Sequence, residues 1–334
     1  MDRPVIALTM GDAAGVGPEL IVKVLAQEDT YRCCRPLVIA AAGVIGRACR
    51  VVGVERTVRE ISDPGEAVFA ADAIDVFCPP ELNVGAVELG RMEARLGEAA
   101  ARSMRLAFEL ARQGTVVGVV LAPMNKQGFH LAGYPYVDEL AYLAAETGCP
   151  DAVSLGVIAP ALWTVAVTQH LPFREIVPNL TTERIVRDVQ RLHDVLRMVG
   201  LPSPRLAVAA LNVHAGEGGL FGREEIEVIE PAVVAAQRLG LSVTGPIPAD
   251  TVFVRARAGE FQGVVCMYHD QANIARKLLA TRRGATVYLG LPVPCATTAH
   301  GTAYDIAGQG VAAPDSLADA LRYTSSLAGG GRAA

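Results

Sequence analysis

Short apolar runs that alternate with longer helical patterns constrain the fold of this chain more than any other feature. Helix-like composition or periodicity covers residues 92–112, 181–198 and 223–238. The apolar runs have the length of buried strands, and they cover residues 4–9, 36–42, 116–121, 163–168, 205–211 and 264–267. Strands that alternate with helices predict an α/β fold, with a mostly parallel sheet that helices cover.

The composition excludes several classes of protein. The 334 residues are 51% apolar, enough for two domains or one large α/β unit with a substantial core. The net charge of -5 is spread along the chain without a basic run, which argues against nucleic acid or an anionic membrane as partner. Seven cysteines without C-x-x-C spacing indicate reduced thiols rather than disulfides or a thiolate zinc site. With no signal-peptide pattern and no apolar stretch of membrane-spanning length, we expect a cytoplasmic protein.

Three of the six histidines follow strand runs. His170, His214 and His269 lie one to three residues after apolar runs, and a turn follows each of them. Strand ends that meet at one sheet edge could bring the three imidazoles to a divalent metal, although hydrogen-bonded loop histidines fit the same pattern. Asp250 and Asp270 could orient imidazoles or transfer protons, or they could cap turns.

Three other segments are candidates for a ligand site. Residues 11–19, GDAAGVGPE, form a Gly-rich connection from a strand to a helix, which suits either an anion at the helix N-terminus or tight packing. They lack the G-x-G-x-x-G and G-K-[ST] spacings. Lys126 follows a strand run and faces either a pocket or solvent. Residues 300–308, HGTAYDIAG, suit either a loop at a cofactor site or an ordinary turn that leads into a helix.

Motifs along nearly the whole chain carry a family resemblance. They are GDAAGVGPE (11–19), APMNK (122–126), LNVHAGEGGLFGREE (211–225), GPIPADTVF (245–253), MYHDQ (267–271), and LGLP with HGTAYDIAG (289–308). In this order they resemble the 4-hydroxythreonine-4-phosphate dehydrogenase family, PdxA, of vitamin B6 biosynthesis. HGTAYDIAG also resembles the cofactor loop of isopropylmalate and isocitrate dehydrogenases.

The resemblance implies a two-domain α/β/α subunit with an isocitrate/isopropylmalate dehydrogenase-like fold. Residues 1–128 plus 271–327 would form a discontinuous cofactor-side domain, and residues 129–270 a middle domain with the dimer interface. The active site would lie in the interdomain cleft of a homodimer and be shared between subunits. The Gly- and Ala-rich residues 328–334 are expected to form a disordered tail.

The resemblance also implies the ligands. A divalent metal, commonly zinc with magnesium or cobalt as substitutes, would be held by His170, His214 and His269. NAD or NADP would bind at His300, Gly301, Thr302, Ala303, Asp305 and Ile306. Lys277 would anchor an anion of the substrate, and Asp250, Asp270 and Lys126 are candidates for proton transfer.

The remaining substrate positions depart from the family. Glu139 and Leu140 stand where the family has a His and a Thr, Thr286 replaces an Asn, and Cys295 replaces an Arg. These changes remove donors and positive charge that a phosphate dianion needs. We therefore expect an NAD(P)- and metal-dependent dehydrogenase that oxidises a secondary alcohol of an unphosphorylated hydroxy acid. A β-hydroxy acid would then lose CO2.

A related enzyme narrows the expected substrate. The dehydrogenase of the terephthalate cis-dihydrodiol resembles this chain in lacking the same Arg and Asn and in having K-L-L-A at residues 277–280. This likeness favours a diol carboxylate, whereas Glu139 is unusual for a dicarboxylate substrate.

Two alternatives remain open. One is the namesake activity on 4-hydroxythreonine 4-phosphate, with Arg276, Arg282 or Arg283 replacing the lost donors. The other is a non-catalytic sensor of a small acid. The intact set of three histidines and the intact HGTAYDIAG loop favour an enzyme.

Overall fold

The computed structural model describes residues 3–158, 162–280 and 283–329. The strands in these residues are β1 (Val5–Thr9), β2 (Arg35–Ile39), β3 (Thr57–Ile61), β4 (Ala73–Phe77), β5 (Gly118–Leu121), β6 (Val153–Ile158), β7 (Leu162–Thr168), β8 (Leu206–Ala209), β9 (Val243–Ile247), β10 (Gly263–Tyr268), β11 (Ala285–Leu289) and β12 (Cys295–Thr298). The helices are α1 (Gly17–Leu25), α2 (Glu28–Cys33), α3 (Ala42–Val52), α4 (Ala94–Arg112), α5 (Lys126–Leu131), α6 (Glu139–Thr147), α7 (Ile176–Asn179), α8 (Thr182–Met198), α9 (Glu230–Arg238), α10 (Ala249–Arg257), α11 (His269–Leu279) and α12 (Asp315–Ala328). Short 3-10 turns cover Pro64–Glu66, Pro80–Leu82, Phe173–Glu175, Val213–Gly219 and Tyr304–Ile306, and a π-helix covers Glu225–Ile229.

The first compact unit comprises residues 1–154 and 284–329. Its strands lie in the order β3-β4-β2-β1-β5-β12-β11, and all neighbours are parallel except β11 with β12. Successive side chains of a strand point to opposite faces of a sheet, and Ile6 through Thr9 of β1 are all buried. Both faces of the centre are therefore covered, as is typical of parallel sheets in α/β proteins.

The second compact unit, residues 155–283, has the strand order β6-β7-β10-β8-β9. Strands β7, β10, β8 and β9 are parallel, and β6 pairs with β7 in the antiparallel direction. Its core includes Ala207, Val264, Cys266, Phe253 and Phe261. Because β7, β10 and β8 are adjacent and parallel, their carboxyl ends meet at one edge of the sheet.

The contact boundaries of the units differ from the expected domain limits at 128/129 and 270/271. Residues 129–154 belong to the first unit because α6 packs on α4: the Tyr142 hydroxyl donates to the Ala101 carbonyl at 3.2 Å, and Arg105 pairs with Glu146 at 3.0 Å. Residues 271–283, which carry most of α11, belong to the second unit.

The α/β class and the alternation of strands and helices are confirmed. Residues 245–247, the Gly-Pro-Ile that opens the motif GPIPADTVF, complete β9, an edge strand. Pro246 is tolerated there because an edge strand has backbone groups that need no ladder partner. Ala328, expected in a disordered tail, is the last residue of α12, and residues 330–334 lie outside the described residues.

In the parts of the chain that the structure describes, no helix combines the length and apolarity that crossing a bilayer requires.

Candidate metal and cofactor sites

Three parallel strands of the second unit deliver the three histidines. His170 follows β7 by two residues, His269 is the first residue of α11 directly after β10, and His214 follows β8 within the turn Val213–Gly219. Two side chains hold the strand ends together. The Thr168 hydroxyl donates to the Met267 carbonyl at 2.7 Å. The Gln271 amide donates to the Ala210 carbonyl and accepts from the Met267 N–H, both at 2.7 Å.

The structure brings His170 and His269 together. Their ring centroids are 5.7 Å apart, and both line a pocket of about 220 Å³ whose apolar wall includes Leu171, Phe173 and Ile176. The Nδ1 atom of His269 lies 2.7 Å from an oxygen of Asp270. Asp270 therefore fixes the orientation of the ring and leaves Nε2 available to a ligand.

The donor set fits a divalent transition metal. Two imidazoles on one tetrahedral zinc, with Zn–N bonds of about 2.1 Å, have ring centroids roughly 5.3 Å apart, close to the observed separation. His214 does not line this pocket. Across residues 3–158, 162–280 and 283–329, no three His, Cys, Asp or Glu side chains come close enough to hold a metal. This chain alone therefore assembles two of the three predicted ligands.

His214 lies in an unusual left-handed turn. Residues 214–218 all have positive φ, with values of 51° at His214, 53° at Ala215 and 42° at Glu217. Non-glycine residues in this region cost about 1–2 kcal/mol each, so the turn needs support from its surroundings. The main support is the buried carboxylate of Glu225, which accepts the N–H groups of Leu211 at 2.8 Å and Asn212 at 2.7 Å.

The predicted cofactor loop is attached to the Gly-rich turn within the first unit. The Val16 N–H donates to the Thr302 carbonyl at 3.0 Å, and a Cβ on Gly15 would lie 2.9 Å from Thr302. The Tyr304 hydroxyl donates to the buried carboxylate of Asp12 at 2.5 Å. Burial raises the pKa of Asp12, while the hydrogen bond from Tyr304 opposes that shift.

A second buried acid holds the end of this loop. The Glu19 carboxylate accepts the N–H groups of Gly308 at 2.6 Å and Gly310 at 3.0 Å. At the other side of the turn, Gly11 has φ +64°, and a Cβ there would lie 2.3 Å from the Pro123 carbonyl oxygen. Close packing thus accounts for the glycines of residues 11–19.

The predicted cofactor loop has one buried side and one exposed side. His300, Gly301 and Asp305 are exposed, and a Cβ on Gly301 would meet no atom within 4 Å. Thr302 is buried, and Ala303 has a left-handed φ of 42°. The inner side of the loop is therefore fixed by the first unit, while its outer side is open to a ligand.

Two of the divergent substrate positions of the first unit, Glu139 and Cys295, lie close enough for their charges to interact. Glu139 is the first residue of α6, and its side chain is half-buried. Burial raises the pKa of its carboxyl group, and the Lys126 ammonium opposes that shift. Cys295 on β12 is fully buried, and both burial and the charge of Glu139 raise the pKa of its thiol. Leu140 packs against the core, and Thr286 lies on β11 opposite Thr297.

The other predicted residues lie on helices. Lys126 is the first residue of α5 and is exposed. Asp250 is exposed in the first turn of α10, which contacts the turn Val213–Gly219. Lys277 is exposed on α11, about 12 Å along the helix axis from His269.

Sequence reasoning missed the residues that support the site. They are Asp12, Glu19, Thr168, Glu225 and Gln271, whose hydrogen bonds join segments from 13 to 292 positions apart in the chain. Asp12, Glu19, Glu225 and Gln271 belong to the recognised motifs. Their position inside the motifs was the only signal, and it does not show which acid of a motif is buried and needs several donors.

Comparison with known proteins adds the relationships. The family described as pyridoxal phosphate biosynthetic protein PdxA matches residues 32–324. The chain is 41% identical to the D-threonate 4-phosphate dehydrogenase of Cupriavidus necator over 97% of each chain. A crystal structure of a 4-hydroxythreonine-4-phosphate dehydrogenase from Burkholderia phymatum superposes with a TM-score of 0.82 and 40% identity, over 98% of this chain and 99% of that one. A terephthalate 1,2-cis-dihydrodiol dehydrogenase from Burkholderia xenovorans LB400 superposes with a TM-score of 0.66 and 29% identity, over 97% and 98%.

Proposed function

The chain belongs to the PdxA family, and on that premise we propose that it oxidises a secondary alcohol of a hydroxy acid that carries no phosphate. The observation that carries this proposal is the position of Glu139 at the start of α6, close to the buried Cys295, where burial raises the pKa of the Glu139 carboxyl group. It stands where the resemblance places a substrate-contacting His. A carboxylate whose charge is already costly there would repel a phosphate dianion.

Cys295 supports the same substrate class. It is fully buried on β12 between β5 and β11, so its side chain offers a thiol where the family has an Arg. A thiol is a weak donor without charge, whereas an Arg supplies a bidentate, permanently cationic contact. The substrate that fits these positions presents a hydroxyl or another donor to Glu139, as a diol carboxylate does.

For the metal, we assign His170, His214 and His269 as ligands. Imidazole nitrogens favour zinc or cobalt over magnesium, which prefers oxygen ligands. When bound, the metal supplies Lewis acidity that lowers the pKa of the substrate hydroxyl. Because the described part of one chain gathers only His170 and His269, we assign the third ligand to a site shared in a homodimer. The second unit exposes large apolar side chains, such as Phe173, Ile274 and Leu278, which suit an interface with the partner subunit.

The other residues act on the substrate and the cofactor. Asp270 orients His269, and Asp250 and Lys126 are the remaining candidates for accepting the hydroxyl proton. Lys277 binds the substrate carboxylate. The loop from His300 to Ile306 seats the nicotinamide of NAD or NADP, with Thr302 and Asp305 next to it.

A second candidate function is oxidation of a phosphorylated hydroxy acid. The identity of 41% to a D-threonate 4-phosphate dehydrogenase favours it. This function would need another cation to bind the phosphate in place of the missing Arg. Arg276 is a poor candidate, since its side chain lies against Gly156 of β6. The side chain of Arg283 is exposed, and Arg282 lies outside the described residues.

The test is nicotinamide reduction by the zinc-loaded protein, offered D-threonate 4-phosphate and 4-hydroxythreonine 4-phosphate beside unphosphorylated diol carboxylates. We expect turnover only of unphosphorylated compounds. The double variant Glu139→His with Cys295→Arg should gain turnover of the phosphate esters. Glu146→Gln, which removes a charge from the same helix at a site paired with Arg105, should not. Efficient turnover of a phosphate ester by the wild-type protein would contradict the proposal.

A further inference from the structure

Glu225 has no role in the mechanism above, although its carboxylate is buried in the second unit. It accepts the N–H groups of Leu211 at 2.8 Å and Asn212 at 2.7 Å through one oxygen, and the Asn212 side-chain amide at 2.8 Å through the other. Among the described residues, Glu225 forms no ion pair with a Lys, Arg or His side chain. All its hydrogen bonds therefore go to the two residues that lead into the turn of His214.

The left-handed turn is built around this carboxylate. A Cβ on Gly216 would lie 2.8 Å from Oε2 of Glu225 and 3.1 Å from the Gly222 carbonyl oxygen. Gly222, with φ +128°, passes Asn212 so closely that a Cβ there would lie 2.4 Å from the Asn212 amide nitrogen. Asn212 in turn donates to Glu224 at 2.6 Å. The position of His214 is thus set from Asn212 on one side and Gly216 on the other, and Glu225 contacts both.

The side chain of His214 lacks comparable support of its own. It is exposed, and its Nδ1 lies 3.7 Å from an oxygen of Glu217, which is also exposed. His269, by contrast, is held by Asp270 at 2.7 Å. The placement of the His214 imidazole therefore depends on its backbone, and the backbone depends on Glu225.

We propose that Glu225 is a positioning residue for metal binding, which holds the left-handed turn so that His214 can act as a ligand. This inference rests on the proposed metal site of His170, His214 and His269. Residues that orient metal ligands typically change metal affinity by about 10- to 100-fold when they are replaced.

The experiment measures zinc affinity of the full-length protein by competition with a chromophoric chelator. In Glu225→Gln an amide nitrogen faces the Asn212 amide, and we expect zinc affinity to fall about tenfold. In Glu225→Ala every acceptor is lost, and the fall should approach about 100-fold. Glu227→Gln is the matched control, since Glu227 is exposed two residues away and its carboxylate pairs with Arg223.

Two further measurements separate positioning from general damage. Hydrogen exchange of the peptide covering residues 211–220 should accelerate in Glu225→Gln and stay unchanged in Glu227→Gln. The visible spectrum of cobalt-substituted Glu225→Gln should change in the same way as that of cobalt-substituted His214→Ala, because the metal loses the same nitrogen ligand in both variants.

The outcomes distinguish this inference from the proposed metal site. If His214→Ala binds zinc as tightly as the wild-type protein, the metal assignment itself is wrong. If His214→Ala loses affinity but folded Glu225→Gln keeps it within twofold of wild type, only the role of Glu225 is overturned. If Glu225→Ala does not fold, Glu225→Gln decides by the same criterion.

Discussion

Replacing Tyr304 with Phe tests whether the buried carboxylate of Asp12 organises the cofactor loop. In the wild-type protein, Asp12 accepts the Tyr304 hydroxyl at 2.5 Å and the Ala14 N–H at 2.8 Å. The substitution removes one oxygen atom and keeps the ring, so among the described residues it leaves the buried Asp12 carboxylate with the Ala14 N–H as its donor. The expected result is a less stable first unit and weaker nicotinamide binding.

The magnitude follows from the type of hydrogen bond. A hydrogen bond to a charged group contributes about 1.5–3 kcal/mol, and this one joins residues 292 positions apart. For a unit of about 200 residues, the entropy of unfolding is about 0.4 kcal/mol per degree. The midpoint of thermal unfolding of the first unit should therefore fall by about 4–7 °C.

The effect should depend on pH. Burial raises the pKa of Asp12, and the Tyr304 hydrogen bond opposes this, so the pKa in the variant is raised further. Between the ordinary Asp pKa of about 4 and the raised folded value, the folded state holds a proton that the unfolded state has released. Stability consequently falls as pH rises through this window, and it falls more in the variant. The difference from wild type should grow with pH and then level off once Asp12 is ionised in both.

The assay is thermal and urea unfolding by circular dichroism at acidic and slightly alkaline pH, with nicotinamide affinity measured by fluorescence. Tyr134→Phe is the matched control, because the Tyr134 hydroxyl donates to Glu98 at 2.9 Å while Glu98 keeps Arg102 at 2.5 Å. The control should lose less than about 1 kcal/mol and bind the cofactor normally. An unchanged midpoint in Tyr304→Phe, or an equal loss in both variants, would refute the reasoning.

Two further substitutions test the turn and the metal pair. Gly11→Ala should destabilise the protein by about 3 kcal/mol or more in urea unfolding, since its Cβ would lie 2.3 Å from a backbone oxygen at φ +64°. Gly53→Ala, with φ +69° and no atom within 4 Å, should lose only about 1 kcal/mol, and equal losses would show that the contact at Gly11 is not limiting. Asp270→Asn should weaken zinc binding about tenfold in chelator competition, the low end of the usual effect because Asp270 is exposed. Unchanged affinity would mean that Asp270 does not orient His269.

Much of the fold could be predicted because its strands are locally apolar. The run at 264–267 became β10, and the run at 163–168 became β7, each with its histidine at the carboxyl end. The family and its dehydrogenase class, acting on a CH–OH group, were also predicted from the motifs and are confirmed. The strands β3, β4, β6, β9, β11 and β12 were not predicted, and β11 and β12 are typical of them because their residues include Thr, Cys and Ala without a long apolar run.

The supporting carboxylates could not be predicted from local pattern because their partners lie outside the helix or turn that carries each acid. In the sequence, Glu19 is an acid in the first turn of α1. In the structure, its carboxylate oxygens accept the N–H groups of Gly308 and Gly310. Glu225 reads as one acid of a charged helix face, yet it is buried and accepts donors from residues 211 and 212. Only the fold shows which acid of a motif is buried.

The buried acids share one physical task. The cofactor loop and the turn of His214 consist mainly of small residues. Ala303 in the loop, and His214 and Ala215 in the turn, have a left-handed backbone. Such segments bury little apolar surface, so hydrophobic packing contributes little to holding them. A carboxylate that accepts two or three N–H groups can hold them, because each charge-assisted bond is roughly twice as strong as a neutral one. Asp12, Glu19 and Glu225 should therefore affect the binding of cofactor or metal more strongly than equally buried apolar residues of the same units, whose replacement acts chiefly on unfolding.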